Sequence, residues 1–252
     1  MALELDHLVI NTKYALDEYE TLFKDLGFTV TPKSHHSLGS VNQSIVFDGH
    51  YLELIGLGNG VRKDLLESNE GVDGLVFKLN HLPQTVAALN AASFEHTQPQ
   101  DFFRPIDGKE ENARFTVIRL LPGQFKEGRV YFCHHHTPYL IWDPAVTSHP
   151  NGVTAIKRLY ISSRNPERAL EQYGKLGTVG KGFDIRIDTE ENFEDYFSLE
   201  EVGVDRFAAI AFKASNLDRL EAVISSRIPV YKRERNRLWF RAAWGTILEF
   251  ES

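Results

Sequence analysis

The segment "VYFCHHHTPYLIW" (residues 130–142) carries three consecutive histidines at the end of an apolar run. Imidazole nitrogens bind divalent metals and exchange protons near neutral pH, so the run is a candidate for a metal or substrate site. Side chains on a strand alternate between its two faces, so His135 points away from the face that carries His134 and His136. At most one or two of the three histidines can therefore serve the same site.

Two further residues of metal-ligand type lie in predicted strands near the N-terminus. His7 lies in "LELDHLVIN" (3–11), which alternates and is rich in branched apolar residues. Glu53 lies between Leu52 and Leu54 in "YLELIG". A carboxylate in so apolar a strand must either face solvent or be paired. A histidine alone on a strand is more often a hydrogen-bonded structural residue than a ligand, so neither residue identifies a site by itself.

The loop "SHHSLGSVN" and two arginines offer groups that bind oxygen-rich ligands. Gly39 would let the backbone approach a ligand closely, and His36 and Asn42 can donate hydrogen bonds to a carbonyl or a carboxylate. Arg104 in "DFFRP" and Arg114 in "NARF" are candidates for holding an anionic substrate. Arg114 is equally interpretable as a surface residue in a weak ion pair.

The elements that must position these residues recur in a fixed order along the chain. The strand at 3–11 is followed by a predicted helix at 14–28 with Gly27 as its C-cap, and then by two strands joined by a tight turn at Asp48-Gly49. A strand followed by a helix recurs from residues 74, 155 and 206, and "FKLNHL" (77–82) resembles "FKASNL" (212–217). Four βαβββ-like units in the order A-B-A′-B′ predict internal duplication of an α+β fold.

The segment "DPAVTSHPNG" (143–152) contains two prolines, Asn-Gly and small polar residues, which is typical of a boundary. We therefore predict two halves, residues 1–148 and 149–252. We interpret the acidic stretch "DTEENFEDYFSLEE" (188–201) as a solvated loop.

Composition limits the classes of partner and compartment. The formal net charge of -7 argues against a nucleic-acid partner, which requires a basic face. The single cysteine, Cys133, excludes an intrachain disulfide and fits a reducing compartment. No apolar run approaches the roughly 20 residues of a membrane span, and the N-terminus resembles a strand more than a signal peptide. We expect a cytoplasmic protein without a membrane partner, and the sequence leaves a homodimer open.

The segments "LDHLVIN", "FTVTPKSHHSLGSVN", "YLELIG", "ARFTVIRL", "CHHHTPYLIW" and "HPNG" together resemble the glyoxalase-like family of the vicinal oxygen chelate superfamily, which includes glyoxalase I, extradiol dioxygenases and bleomycin-resistance proteins. The match of motifs runs from residue 5 to 152, and the rest matches by the order of its elements. Tyr139 departs from the pattern, which has an acidic residue there, and this weakens the inference about substrate more than the inference about fold.

The resemblance implies four modules paired into two half-open β-barrels, with metal ligands on the first and last strands of each module. Those positions hold His7, Glu53 and His135, while the first strand of the second module offers only Gly74 or Leu75. Two histidines and a carboxylate suit a divalent metal (Fe, Mn, Zn, Ni and Mg are not distinguished) that acts as a Lewis acid, or iron(II) that handles oxygen. The resemblance also matches His36, Gly39 and Asn42 to the family's H-x-x-G-x-x-N pattern, which implies a loop at the mouth of the cavity.

Two classes of function follow from this resemblance. One is a metal-dependent lyase, isomerase or dioxygenase that acts on a small oxygen-rich molecule. The other is a metal-free protein of the bleomycin-resistance type that binds and sequesters a small molecule. An inactive structural relative is a third interpretation, which an empty, collapsed cavity would favour.

The second half is expected to lack a metal site. Alignment of "ELDHLVI" with "AIKRLYI" places Arg158 at the position of His7, and alignment of "YLELIG" with "ILEFES" places Glu249 at that of Glu53. Arginine stays protonated and offers no lone pair to a metal. We therefore predict an ion pair between Arg158 and Glu249, and a structural role for residues 153–252.

Overall fold

Alternating apolar residues predict a strand at the N-terminus, and the computed structural model, which describes residues 1–58 and 62–252, places a nine-residue strand there. The strands up to residue 135 are β1 (Ala2–Leu3), β2 (Leu5–Lys13), β3 (Ser34–His35), β4 (Ser40–Phe47), β5 (His50–Leu57), β6 (Gly71–Lys78), β7 (Gln100–Arg104), β8 (Ala113–Arg119) and β9 (Arg129–His135). The helices of this part are α1 (Leu16–Asp25), α2 (Lys63–Glu67), α3 (Leu82–Ala91) and a 3₁₀ turn at Pro138–Leu140.

The first large sheet has eight strands in the order β3-β4-β5-β2-β6-β9-β8-β7. Its two central strands, β2 and β6, run antiparallel, and each pairs on its other side with a parallel strand, β5 or β9. Gly27 after α1 and Gly49 in the β4–β5 turn both have positive φ, as the predicted cap and turn require. This arrangement is that of two paired βαβββ modules, so the predicted fold class is confirmed.

The second large sheet has six strands in the order β12-β10-β13-β16-β15-β14. Its elements are β10 (Val153–Ser162), α4 (Pro166–Leu176), β11 (Thr178–Val179), β12 (Asp184–Asp188), α5 (Glu190–Phe197), β13 (Arg206–Ala214), α6 (Leu217–Ser225), β14 (Lys232–Arg233), β15 (Arg237–Arg241) and β16 (Ile247–Glu251). The short strand β11 leaves this sheet and pairs with β1. The third module is therefore reduced, because β12 is the edge strand beside β10, whereas β5, β4 and β3 extend the first sheet beyond β2.

Helix α5 corrects the interpretation of residues 188–201 as a solvated loop. Thr189 caps the helix by accepting a hydrogen bond from the backbone N–H of Asn192. Phe193 and Phe197, four residues apart on one helix face, are fully buried and pack edge-on against Tyr160. The concave face of the second sheet is thus filled by aromatic side chains.

The predicted ion pair between Arg158 and Glu249 is wrong. The two residues share a row of the sheet, but the strand β13 separates them, since Ala211 is the register partner of both. Arg158 instead binds Asp184 at 2.6 Å and Glu251 at 2.9 Å, both nearer the rim. The guanidinium therefore stays where water can solvate it, which a fully buried partner would prevent.

Glu249 finds other partners on the concave face. It accepts hydrogen bonds from the hydroxyl of Tyr160 and from Arg237 Nη1, the latter at 3.3 Å. Burial raises the pKa of the Glu249 carboxyl above its ordinary value. Arg237 in turn lies over the rings of Tyr196 and Trp239. These contacts are those of a packed interior.

One continuous apolar cluster joins the two large sheets, with residues such as Leu8, Leu54, Ile156, Phe212 and Phe250 buried together. The outer faces of the strands and the helices that cover them share this core. A separate apolar cluster around Val9, Val76 and Phe115 lies on the concave face of the first sheet. Phe115 also lines a cavity on that face. No helix among residues 1–58 and 62–252 is long and apolar enough to cross a membrane.

Two neutral histidines link the halves. His50 Nε2 accepts a hydrogen bond from the backbone N–H of Ile156, and His149 Nδ1 accepts one from that of Thr29. Burial lowers the pKa of each imidazole to about 4. Protonation of either accepting nitrogen would break its bond.

We expect the free energy of unfolding to fall between pH 6.5 and 4 and to stay level above pH 7. The unfolded chain takes up protons near the ordinary histidine pKa of about 6.5, whereas the folded chain resists them until about 4, and each histidine contributes a slope of up to about 1.4 kcal/mol per pH unit. Urea unfolding at pH 7.5, 6 and 5 measures this dependence. His50→Gln should reduce the slope by the contribution of one histidine, whereas the exposed control His81→Gln should not change it. Equal profiles for all three proteins would contradict the assignment.

Candidate metal centre and substrate cavity

Two β-bulges shape the centre of the first sheet. Between the register pairs Leu5↔Phe77 and His7↔Val76, β2 has one extra residue, Asp6; symmetrically, Asp73 is the extra residue on β6. Each bulge buries an aspartate beside the concave face. The local sequences "DHLV" and "DGLV" therefore occupy equivalent places on the two central strands.

Only the first of the two aspartates is followed by a residue that could bind a metal ion. His7 follows Asp6, whereas Gly74 follows Asp73. A Cβ atom at Gly74 would lie 2.7 Å from Cβ of Val9, so the second module has no room for a side chain there. The expectation that this position supplies no ligand agrees with the packing.

His7 is held by its neighbours in a fixed orientation. Its Nδ1 lies 2.6 Å from Asp6 Oδ1, and its ring stacks on Tyr51 at a centroid distance of 4.3 Å. Burial alone would raise the pKa of Asp6, but the contacts with His135 and His7 hold it well below its usual range. With Nδ1 bonded to the carboxylate, Nε2 faces Glu53 at 3.8 Å.

Glu53 lies between two imidazoles. His36 Nε2 is 3.7 Å from Glu53 Oε1, and His36 Nδ1 is bonded to Ser40 Oγ at 2.9 Å. Asn42 Nδ2 donates to Glu53 Oε1 at 2.8 Å. The two imidazole–carboxylate distances exceed a hydrogen bond, so the nitrogens face the carboxylate without being bonded to it.

The charge states of this group fit a metal centre. Burial lowers the pKa of His36 to about 4, so its imidazole is neutral at pH 7. Burial alone would raise the pKa of Glu53, but His36, His7 and Arg104 outweigh burial and leave it below its ordinary value. Two imidazole nitrogens and a carboxylate form a donor set that divalent iron, manganese, nickel or zinc accepts. The residues present therefore fit such an ion.

His135 is not brought to Glu53. It lies on the same strand face as Cys133 but one step further along, where its Nε2 is 2.9 Å from Asp6 Oδ1. Its ring packs against Phe115 and Trp142, and its Nδ1 is buried without a partner among the described residues. The structure thus joins His135 to His7 through Asp6. His36, which the sequence suggests as a substrate contact, occupies the place beside the carboxylate.

A tighter group of potential ligand atoms lies behind His7. Atoms of Asp6, Cys133 and His135 are all within 4.8 Å of one another. Asp6 Oδ1 already contacts both histidines, and burial raises the pKa of the Cys133 thiol, so the thiolate that a metal requires is disfavoured. These contacts make this group less suited to a metal ion than the Glu53 group.

The Glu53 group opens into a narrow cavity of about 30 Å³ on the concave face. Its walls are His7, His36, Leu38, Tyr51, Glu53, Ile55, Arg62, Phe102, Arg104, Phe115, Val117, Arg119, Arg129, Tyr131 and Cys133. Four of these are arginines. Arg62 is paired with Asp64 at 2.6 Å and Arg129 with Asp73 at 2.7 Å.

Three residues suggested by the sequence lie elsewhere. Arg114 is exposed on the opposite face of β8, in a shallow depression with His136 and Phe103. Gly39 has φ +88° and forms the turn between β3 and β4. Asn42 is buried behind Glu53 and supports the carboxylate directly. Of the predicted substrate contacts, His36 and Arg104 line the cavity.

The sequence reasoning missed Asp6, Tyr51, Arg119 and Tyr131. The repeated Asp in "DHLV" and "DGLV" was a usable signal, because an aspartate at the same place in two apolar strands indicates a common buried role. Strand parity was a second signal, since Tyr131 and Cys133 alternate with core residues on β9.

A family model described as a glyoxalase-like domain matches residues 5–177. No curated protein matches the chain. Among solved structures, a hypothetical protein from Staphylococcus aureus is similar over 99% of both chains, with a TM-score of 0.69 and 12% sequence identity.

Two enzymes with the same fold are also similar. A mutant of 4-hydroxymandelate synthase from Streptomyces coelicolor has a TM-score of 0.61 and 9% identity, covering 98% of this chain and 92% of its own. A catechol 2,3-dioxygenase has a TM-score of 0.61 and 10% identity, covering 98% of this chain and 87% of its own. At these identities the likeness concerns the fold.

Proposed function

Since the chain belongs to the glyoxalase-like family of the vicinal oxygen chelate superfamily, we propose that it is a metal-dependent lyase, isomerase or dioxygenase acting on a small oxygen-rich molecule. The observation that carries the proposal is the pair of imidazoles with Nδ1 bonded elsewhere and Nε2 directed at the buried Glu53 carboxylate. We propose His7, His36 and Glu53 as the ligands. A divalent ion held there would supply Lewis acidity toward two substrate oxygens.

The protein's own residues would orient the ligands and the substrate. Asp6 fixes the His7 ring, and Asn42 fixes one oxygen of Glu53, as outer partners of metal ligands commonly do. Arg104 places a positive charge beside the same carboxylate. The apolar side chains Leu38, Ile55, Phe102 and Phe115 limit access of water to the cavity.

Metal titration of protein purified without an affinity tag tests the proposal. We expect one divalent ion per chain with micromolar or tighter affinity for at least one of Fe(II), Mn(II), Ni(II) and Zn(II). If His36 is a ligand, as proposed, the His36→Ala variant should lose the ion. If His36 contacts only the substrate, the variant should retain the ion. His135→Ala should bind the ion more weakly than wild type but still bind it, since it acts through Asp6.

A chain that binds none of these ions would contradict the proposal. The metal-free binding protein would then be the better description, with the same side chains acting as hydrogen-bond partners. Elemental analysis of the untagged protein as isolated distinguishes the two directly.

A further inference from the structure

The cavity beside Glu53 lies next to a larger groove. The cavity, at about 30 Å³, is too small to hold a whole substrate. A groove of about 340 Å³ adjoins it and shares the side chains of Arg119, Arg129 and Tyr131. Only the groove reaches the roughly 300–1,000 Å³ that small-molecule sites occupy. We call the cavity the inner end and the groove the outer end of this region.

The inner end contains a buried arginine, Arg104. Arg104 is 6% exposed and lies 5.9 Å over the Phe115 ring. Within the part of the chain that the structure describes, its guanidinium has no hydrogen bond and no carboxylate within ion-pair distance, and burial lowers its pKa. The Glu53 carboxylate acts on this charge only from beyond ion-pair distance. A bound anion in direct contact with the guanidinium would compensate the buried charge further.

The outer end is mainly apolar. Its walls include Leu120, Leu121, Pro122, Phe125 and Val130, and Leu121 is among the exposed large apolar side chains of the chain. Such a surface favours an apolar ligand body.

Charges in and beside the groove limit what that body can carry. At the junction, Arg119 Nη1 donates to the neutral side chain of Gln100 at 2.7 Å. Glu67 and Lys126, which bring one charge of each sign, also line the groove, and Asp64 there is paired with Arg62. The groove therefore favours no second charged group on the ligand.

We propose that the cavity and the groove together bind one amphipathic carboxylate, with its anionic group on Arg104 beside Glu53 and its uncharged, apolar body in the groove. This inference rests on the proposed function, because it takes the Glu53 cavity as the active site, and it adds the chemical class of the substrate. Arg104 would then orient the oxygen-bearing end of the substrate toward the metal ligands.

Calorimetric titration of the full chain with octanoate, 1-octanol and acetate tests the proposal. Octanoate should bind at least 10-fold more tightly than either 1-octanol, which lacks the charge, or acetate, which lacks the body. Arg104→Gln should reduce octanoate binding to the level of 1-octanol, and the matched control Arg219→Gln, on the exposed face of α6, should bind octanoate as wild type does. The Tm of Arg104→Gln should show that the variant is folded before its binding is compared with that of wild type.

Equal binding of octanoate and 1-octanol, or octanoate binding that Arg104→Gln leaves unchanged, would overturn the proposal. If Arg104→Gln does not fold, Leu121→Glu tests the outer end and should weaken octanoate binding at least 5-fold without affecting acetate. Metal titration of the same samples separates the two ideas. Metal binding without selectivity for octanoate would refute the proposed substrate class and leave the metal-dependent enzyme standing. Selectivity for octanoate without metal binding would refute the metal-dependent enzyme and leave the ligand class standing.

Discussion

Glu53→Gln should abolish high-affinity metal binding while the chain stays folded. The substitution keeps the size of the side chain and an oxygen for Asn42, but it removes the charge that lies between His7 and His36. Loss of a charged ligand should weaken metal affinity by more than the roughly 10–100-fold that changes in outer partners cause. Titration with Zn(II) and Mn(II), monitored by calorimetry, measures the loss.

Glu249→Gln is the matched control for this substitution. It changes a buried carboxylate at the position that the sequence alignment equates with Glu53, in a half whose concave face is filled by Phe193 and Phe197. Its metal affinity should equal that of wild type. If both variants bind metal as wild type does, Glu53 is not a ligand; if both lose it, the effect reflects general destabilisation, which urea unfolding would reveal.

Much of the fold follows from local patterns in the sequence. The strand–helix–strand order, the Asp48-Gly49 turn and Gly27 after α1 each depend on a few neighbouring residues, and they are found where expected. His7, Glu53 and Arg104 were also identified from the sequence and line one cavity. Their common location depends on which strands pair, which the family resemblance implied.

The remaining features depend on contacts that sequence spacing does not specify. Strand parity puts His135 on the same face of β9 as Cys133, but residue spacing does not reveal the bulge that adds Asp6 to β2 or the contact between Asp6 and His135. The predicted ion pair between Arg158 and Glu249 ignored the intervening strand β13 and the nearer carboxylate of Asp184. The acidic character of 188–201 concealed the four-residue spacing of Phe193 and Phe197, which predicts a helix once apolar positions are weighed above net charge.

Asp6→Asn should weaken metal binding about 10–100-fold and also destabilise the fold. Asp6 Oδ1 contacts both His7 Nδ1 and His135 Nε2, and an amide oxygen provides less charge for the same two contacts. The amide nitrogen would also bring a donor into a site that needs an acceptor. A buried polar group left without its partner costs about 1–3 kcal/mol, and urea unfolding measures that cost.

Asp73→Asn separates these two effects because Asp73 occupies the equivalent bulge on β6. It is equally buried, but its partner is Arg129, at 2.7 Å, and a glycine stands where His7 would be. Asp73→Asn should therefore destabilise the chain by a similar amount and leave metal affinity unchanged. If the two variants lose metal affinity equally, Asp6 acts only on stability; if Asp6→Asn alone loses it, the carboxylate orients His7 for the ion, as the contact between Asp6 Oδ1 and His7 Nδ1 predicts.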